Sequence, residues 1–403
     1  MRRRILGAAA KDMSRLSIIR PFLRMLKKMP KRLLCALLLA ASAIAQAAAP
    51  APPSVAGQAW LLADLSSGQI LASAQAEDRF EPASLTKLMT AYIVFSALRD
   101  KNIALEQKVT VSTRAWKTKG SRMFIEPRKP VTVDDLIRGM VIQSGNDASV
   151  ALAEHVAGSE EVFVTRMNAE AVRLGMTNTK FMNASGLPDL QHLTTAQDLY
   201  RLTAALIRDF PEEYARYYSQ KEFRYNNITQ PNRNRLLWLD PNVDGVKTGH
   251  TNAAGYCLVA SSQRGGRRLL SILLGASSED VRAQESLKLL NWGYQAFDSV
   301  KLYSKGKVVK TIPVWKGEAK LVDAGFAGDL VLTVPKSQAS KLSAELLSRQ
   351  PLIAPVVQHQ PVGVLRVTLD GEGMGEYPLI ALEAVPAAGF FGRTWDTLKL
   401  WLK

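Results

Sequence analysis

The segment Pro82–Thr90 constrains the fold most, because it places a serine and a lysine three residues apart at the start of an apolar run. Apolar residues recur at roughly helical spacing as far as Phe95, which predicts a helix beginning here. Residues i and i+3 are neighbours on a helix, so Ser84 and Lys87 lie within reach of each other. A serine needs a base to become a nucleophile, and a lysine is a base only when burial or nearby positive charge keeps it neutral. The pair therefore predicts an activated serine, with a helix N-terminus near the oxyanion of an acyl transfer.

Taken alone, the pair also fits a helix cap beside a solvated lysine, and Ser304 and Lys307 repeat the spacing. A second motif, Ser144-Gly145-Asn146, lies between two predicted helices. Its hydroxyl can relay a proton and its amide can orient a peptide backbone. Alone, this tripeptide is equally well explained as a helix cap or as chance.

A third motif, Lys247-Thr248-Gly249, ends a strand-like run that starts at Val243. The lysine supplies positive charge and the threonine hydroxyl can bind a carboxylate. The glycine lets a ligand lie flat against the strand. Each motif is weak alone, and their occurrence together in this order is what indicates a catalytic serine.

Net charge and cysteine content exclude several classes of protein. The formal charge of +16 is concentrated at the N-terminus, because residues 1–49 hold eleven of the 52 basic residues and one of the 36 acids. The remaining +6 comes without a dense basic run interleaved with aromatics, so a nucleic-acid partner is not predicted. Beyond residue 49 only Cys257 remains, which allows no internal disulfide and is expected to be a small buried side chain. Scattered histidines form no ligand cluster, so no metal is predicted.

Residues 1–49 are predicted to be a cleaved signal peptide, with Met25 as a possible true start. A basic stretch at 27–32 precedes an apolar run at 33–44 and small residues up to Ala49. That order is typical of an export signal, and the run is short for a membrane span. Cys35 begins the apolar run rather than following it, so no lipid attachment is predicted.

The remaining chain predicts an α/β (α+β) catalytic domain over residues 50–298. A hairpin at 60–74 is followed by a helical middle, antiparallel strands between 243 and 274, and a closing helix from Arg282 to Phe297. From 299 to 387, short strands alternate with glycine and proline signals, which indicates a small all-β domain. Residues 388–403 are predicted to form a separate terminal helix.

This terminal helix is predicted to be amphipathic and to lie on a membrane surface. Its aromatic and aliphatic face is too short to span a bilayer but suits the interface, where basic residues meet anionic headgroups. The alternative is a helix that packs against its own protein. The apolar face comprises Phe391, Trp395, Leu398 and Leu402, with Arg393, Asp396 and Lys403 roughly opposite and Lys399 at the rim.

The three motifs in this order resemble the penicillin-recognising serine enzymes, whose signatures are S-x-x-K, S-D-N and K-T-G. With Asn183-Ala184-Ser185-Gly186-Leu187 and Asp244–Thr251, they are most similar to the low-molecular-mass penicillin-binding proteins, the D-alanyl-D-alanine carboxypeptidases. The resemblance extends from about Trp60 to the C-terminus. It implies the penicillin-recognising serine-enzyme fold, followed by a small β domain and an amphipathic anchor.

The resemblance also implies roles for individual residues. Ser84 would attack the D-Ala–D-Ala carbonyl with Lys87 as base, and Ser144 would pass a proton to the leaving amine. The backbone N–H groups of Ser84 and His250 would hold the oxyanion. The remaining positions would bind substrate. Asn146 would hold the substrate amide, and Lys247 and Thr248, in the motif that ends in Gly249, would engage its terminal carboxylate. Arg233 and Arg282 also match family positions, less securely.

The implied reaction removes the terminal D-alanine from peptidoglycan pentapeptide stems, with no metal or organic cofactor. Penicillin and other β-lactam antibiotics would acylate the serine as substrate mimics. The implied location is the periplasm, with peripheral attachment to the inner membrane through the C-terminal helix.

Three alternatives remain open at this stage. A β-lactamase shares the motifs, but the class A enzymes need a deacylating glutamate, and no E-x-x-L-N segment occurs here. A murein DD-endopeptidase would share the fold. A non-catalytic wall-binding protein would be expected to have a broken motif, and none is broken.

Overall fold

The computed structural model describes residues 51–348 and 350–401, and the predicted signal segment lies outside them. A five-stranded antiparallel sheet in the order β2-β1-β9-β8-β7 forms the framework of the first domain. Strand β1 is buried along its whole length, whereas β7 leaves one edge unpaired within this sheet. The strands are β1 (Ala59–Asp64), β2 (Gln69–Ala74), β7 (Val243–Thr251), β8 (Gly255–Arg264) and β9 (Arg267–Ala276).

A helical region lies between β2 and β7, and most of it packs against one face of this sheet. Its last, one-turn helix instead contributes Leu236 and Leu237 to the cluster on the opposite face. Its helices are α1 (Lys87–Arg99), α2 (Thr113–Lys117), α3 (Val133–Val141), α4 (Asn146–Ala157), α5 (Glu160–Arg173), α6 (Ala196–Asp209), α7 (Pro211–Tyr217) and α8 (Leu236–Leu239). Two short hairpins accompany them, β3 (Lys108–Val109) with β4 (Val131–Thr132), and β5 (Glu222–Tyr225) with β6 (Ile228–Pro231).

The sheet separates two hydrophobic clusters because its strands turn alternate side chains to opposite faces. Leu61 of β1 and Ile272 of β9 belong to the cluster shared with the helical region. Leu62 and Leu269 belong to the other cluster, which helix α9 (Glu279–Ala296) closes. Burial on both faces makes this sheet a rigid support for the edge strand β7.

The second domain is all β, as predicted. Strand β10 (Phe297–Tyr303) follows α9 directly and pairs with β13 (Leu330–Pro335). A six-stranded sheet in the order β14-β16-β17-β12-β11-β15 forms the rest. Its strands are β11 (Lys310–Trp315), β12 (Leu321–Gly325), β14 (Leu342–Ser348), β15 (Leu352–Ile353), β16 (Pro361–Leu369) and β17 (Glu372–Ala381).

Several element boundaries differ from the sequence prediction. The helix expected to begin at Ser84 starts as a 3₁₀ turn, Ala83–Thr86, before α1. The strand-like sequence Val109-Thr110-Val111-Ser112 predicts a strand through Ser112. In the structure β3 ends at Val109, and the Ser112 hydroxyl instead caps α2 by accepting from the N–H of Ala115. The closing helix begins at Glu279, capped by Ser278, rather than at Arg282.

The terminal helix α10 (Phe390–Trp401) is present, and its orientation is defined by one buried carboxylate. Asp396 accepts from the backbone N–H of Lys316 at 2.7 Å and pairs with the Lys320 ammonium at 3.1 Å. Phe391 and Trp395 are exposed, as predicted for the apolar face. The Leu398 side chain, Leu402 and Lys403 lie outside what the structure describes. Among the described residues, no helix combines the length and apolarity needed to cross a bilayer.

Candidate active site

The serine of the first motif sits in a strained turn at the entrance of α1. Ala83, one residue before it, has a φ of +46°, a region that residues with a Cβ rarely adopt. Strain of this kind persists where surrounding packing enforces it, and it is concentrated at functional sites. Gly186 supplies part of that packing, since a Cβ added there would lie 1.8 Å from the Ala83 carbonyl oxygen.

Lys87 occupies the first position of α1 and lies beside the serine. Its Nζ donates to Ser84 Oγ at 3.0 Å, to Asn146 Oδ1 at 2.7 Å and to the Ser185 carbonyl at 2.5 Å. The Asn146 amide is held in this orientation because its Nδ2 donates to the carbonyl of Lys119 at 2.7 Å. The first two motifs therefore meet at the side-chain nitrogen of Lys87.

Burial is the main influence on the protonation of Lys87. The side chain is only 2% exposed, and this desolvation, followed by the positive charge of Arg233, lowers the pKa of Lys87 to about 7. The nearby Asp147 carboxylate acts in the opposite direction. A substantial fraction of Lys87 is therefore the neutral amine at neutral pH, as a general base requires.

Ser144 and Lys247 connect the second and third motifs. Lys247 Nζ donates to Ser144 Oγ at 2.9 Å and to the carbonyl of Thr248 at 3.0 Å. Ser144 is itself strained, with a φ of +61°. Burial, followed by the charges of Lys87, Arg233 and Arg282, lowers the pKa of Lys247 well below its usual value.

A buried carboxylate that sequence reasoning did not single out supports the second motif. Asp147, in the first turn of α4, accepts from the backbone N–H groups of Met123, Phe124 and Ile125 at 3.0, 2.9 and 3.3 Å. It thereby fixes a loop beside Ser144. In the sequence, Asp147 is recognisable as an acid at a predicted helix start, but the residues that it contacts are distant in the chain.

Strand β7 lies against the nucleophile turn. Gly249 makes this possible, because an added Cβ would lie 3.1 Å from the Pro82 carbonyl oxygen and 3.3 Å from the Ala83 Cβ. Thr248 is buried, whereas His250, which follows Gly249, is exposed and contacts the Tyr256 ring in a tilted arrangement with ring centroids 4.1 Å apart. Ser84, Ser144 and the third motif therefore surround one site at the free edge of the sheet, which we call the cleft.

Two arginines complete a positively charged end of the cleft. Arg282 is 3% exposed, with its guanidinium over the Tyr256 ring and 3.5 Å from Glu279. Arg233 is exposed and, within residues 51–348 and 350–401, makes no hydrogen bond or ion pair. An unpaired guanidinium beside buried lysines is suited to receive an anionic group.

Metal chemistry has no support among the described side chains, where no group of three or more His, Cys, Asp or Glu residues is arranged to hold an ion. Cys257 is buried, as predicted, and its thiol donates to the carbonyl of Ala254 at 3.4 Å. Burial raises its pKa to about 11, so it is not a reactive thiolate at neutral pH.

A serine beside a buried lysine, a second serine–lysine pair and a cationic cleft define a serine-type peptidase of the penicillin-recognising fold. Comparison with known proteins gives the same class. A family model described as D-alanyl-D-alanine carboxypeptidase matches residues 45–278, and one described as penicillin-binding protein 5, C-terminal domain, matches residues 297–387. The chain belongs to the D-alanyl-D-alanine carboxypeptidase family.

Individual relatives cover most of the chain. D-alanyl-D-alanine carboxypeptidase DacC of Escherichia coli strain K12 is 46% identical over 352 residues, which is 85% of this chain and 88% of that relative. The crystal structure of penicillin-binding protein 5 from Haemophilus influenzae aligns with a TM-score of 0.80 at 39% identity, covering 83% of this chain and 99% of that one. Penicillin-binding protein D2 from Listeria monocytogenes, solved in an ampicillin-bound form, covers 60% of this chain and 99% of its own at 29% identity and a TM-score of 0.56.

Proposed function

We propose that this enzyme hydrolyses the D-alanyl-D-alanine bond at the end of peptidoglycan pentapeptide stems through an acyl-enzyme on Ser84. The observation that carries the proposal is the contact of the buried Lys87 Nζ with Ser84 Oγ at 3.0 Å. Burial is the main reason that the pKa of Lys87 is lowered to about 7. Its neutral amine can therefore take the proton of the Ser84 hydroxyl. The Ser84 oxygen then attacks the carbonyl carbon of the penultimate D-alanine.

Collapse of the tetrahedral intermediate breaks the C–N bond and releases D-alanine. We assign the oxyanion to the backbone N–H groups of Ser84 and His250, at the turn and at the strand edge. Ser144, whose hydroxyl accepts from Lys247 Nζ, relays to the leaving amine the proton that Lys87 took from Ser84, and Lys87 becomes neutral again. Water then attacks the acyl ester, with Lys87 taking the water proton and returning it to the Ser84 oxygen as the ester C–O bond breaks.

Substrate recognition follows from the charge of the cleft. The terminal carboxylate of the stem peptide lies at the positive end formed by Arg233 and Arg282 and favours the charged form of Lys247 beside them, with the Thr248 hydroxyl as an additional donor. Asn146 presents its amide to the peptide backbone. A β-lactam carries a carboxylate and a strained amide in the same relation, so it acylates the same serine.

The test of this function is the Ser84→Ala variant. It should neither release D-alanine from a pentapeptide nor be labelled by fluorescent penicillin, while its thermal unfolding stays unchanged. Stable labelling of Ser84→Ala would refute the proposal. Product analysis with wild-type enzyme separates the alternatives, since an endopeptidase would cleave a cross-linked muropeptide faster and a β-lactamase would turn over penicillin rapidly.

We also propose that the enzyme acts in the periplasm, peripherally attached to the inner membrane through α10. The carboxylate of Asp396 holds the polar side of this helix to the β domain, whereas Phe390, Phe391, Trp395 and Trp401 are 72, 87, 60 and 84% exposed. Such an aromatic surface with exposed basic neighbours suits an anionic bilayer.

A chain truncated after Pro386 should hydrolyse free pentapeptides normally but no longer sediment with anionic vesicles. The double variant Phe391→Ser/Trp401→Ser is a second test and should also lose sedimentation, because it removes two exposed aromatic side chains and leaves the Asp396 contacts in place. Sedimentation of either variant equal to that of the full chain would contradict attachment through this helix. Mass spectrometry of the exported protein tests the predicted cleavage near Ala49.

A further inference from the structure

The loop Asn183–Leu187 presents a carbonyl to the catalytic lysine. Neutral Lys87 has two amine hydrogens and one lone pair. If Asn146 Oδ1, at 2.7 Å, and the Ser185 carbonyl, at 2.5 Å, accept the two hydrogens, the lone pair is directed at Ser84 Oγ. The position of the Ser185 carbonyl therefore determines the direction of the Lys87 lone pair.

Asn183 builds the turn that holds this carbonyl. Its Oδ1 accepts from the backbone N–H groups of Ser185, Gly186 and Leu187 at 3.2, 2.7 and 3.0 Å. Its Nδ2 donates to the carbonyl of Leu187 at 2.9 Å. With three backbone donors on the oxygen, the orientation of the side-chain amide is determined.

His192 ties this turn to the nucleophile. Since Asn183 Nδ2 donates to His192 Nδ1 at 3.4 Å, the ring proton lies on Nε2, which donates to Thr86 Oγ1 at 3.0 Å. The ring is 1% exposed, and burial is the main reason that its pKa falls to about 4, so it stays neutral during catalysis. Thr86 directly precedes Lys87 in the chain.

The loop is anchored on its other side as well. Ala184 donates its N–H to Glu160 Oε1 at 3.0 Å, and its carbonyl accepts from the Thr90 hydroxyl at 2.7 Å. Thr90 lies one helical turn after Lys87 on α1. Contacts on both sides of Ser185 thus fix the position of its carbonyl relative to α1, the helix that carries Lys87.

We propose that Asn183 and His192 are positioning residues for the general base, which hold the Ser185 carbonyl so that the Lys87 lone pair faces Ser84. The inference rests on the proposed role of Lys87. The charged groups that act on Lys87 are Arg233 and Asp147, and those that act on His192 are Asp189 and Lys87 itself.

The test is the rate of penicillin acylation as a function of pH in Asn183→Ala. The plateau rate should fall roughly 10²-fold, the lower end of what loss of a general base costs. The midpoint of the acidic limb should move to lower pH, because the Lys87 ammonium loses a carbonyl acceptor that stabilises it. An unfolded or loosened loop would instead solvate Lys87 and move the midpoint upward.

Asn168→Ala is the matched control. Asn168 also bonds backbone groups of this connection, donating to the Phe181 carbonyl and accepting from the Phe181 N–H at 2.9 Å each. It does not touch the loop at Ser185 in the described structure, so its variant should lose stability but keep the wild-type midpoint. An equal rate loss and an unmoved midpoint in both variants would overturn the inference.

His192→Phe keeps the inference testable if Asn183→Ala does not fold. Phenylalanine fills the ring volume but removes both nitrogens, and we expect a rate loss of about tenfold with a downward shift of the midpoint. Wild-type kinetics in His192→Phe would refute the role of His192. Absence of any limb near pH 7 in the wild type would instead refute Lys87 as the base, and with it the proposed function.

Discussion

The two domains differ in how they place lysine side chains. In the catalytic domain Lys87 and Lys247 are 2% and 3% exposed, and neither makes an ion pair in the described structure. In the β domain, the ion pairs of Lys301 with Asp329 and Lys341 with Asp370 lie at the surface. A buried ammonium without a charge partner costs stability, and burial accordingly lowers the pKa of both lysines. Among its described residues the β domain has no buried lysine, and its core is apolar.

Lys87→Arg should produce the largest effect of the variants that probe this contrast. A guanidinium stays protonated at neutral pH, so the variant keeps the charge but loses the base. We expect the acylation rate to fall by roughly 10²–10⁴ with near-native folding. Stopped-flow acylation and circular dichroism measure the two quantities, and near-normal acylation would show that Lys87 is not the base.

Leu332→Ala should have the opposite signature in the β domain. The Leu332 side chain is fully buried in the core of that domain, and its removal should cost about 2–5 kcal/mol of the free energy of unfolding. The acylation rate measured below the unfolding transition should not change, because no catalytic contact involves this core. A loss of rate equal to that of Lys87→Arg would show that the domains are not functionally separable.

Arg233→Gln should have a smaller effect, visible in the pH dependence. The positive charge of Arg233 helps to lower the pKa of Lys87, so its removal should raise that pKa and move the acidic limb of acylation to higher pH. The acylation rate at pH 7 should fall roughly two- to tenfold. Arg233→Lys retains the charge and should keep the wild-type midpoint; a shift in both variants would indicate a change of geometry rather than of charge.

The sequence predicted the contacts that depend on local spacing. Ser84 and Lys87 are three residues apart and meet at 3.0 Å. The contact of Lys87 with Ser185 joins residues 98 positions apart, and no local pattern encodes it. The resemblance singled out the Asn183–Leu187 segment, but only the structure shows the carbonyl that it presents to the amine.

Two elements of the structure were not predicted from the sequence. The hairpin of β5 and β6 was missed although Asn226 and Asn227 both have positive φ, at 50° and 61°, and asparagine pairs favour such turns. Strand β14 was missed because its Glu-Leu-Leu segment has no strand alternation. That segment is a strand because β16 pairs with it over its whole length.

Lys341→Met should have the smallest effect. The Lys341 side chain is 39% exposed and its ammonium lies 2.7 Å from an Asp370 side chain that is 48% exposed. An exposed pair of this kind contributes roughly 0.2–1 kcal/mol, and salt screens it. The free energy of unfolding should therefore change by less than about 1 kcal/mol, and the difference should vanish at 1 M salt, where the Debye length is about 3 Å. Chemical denaturation with urea at low and high salt measures both. A loss of stability that persists at high salt would mean that the lysine stem packs against the β domain. This surface lysine would then contribute more to stability than its ion pair does.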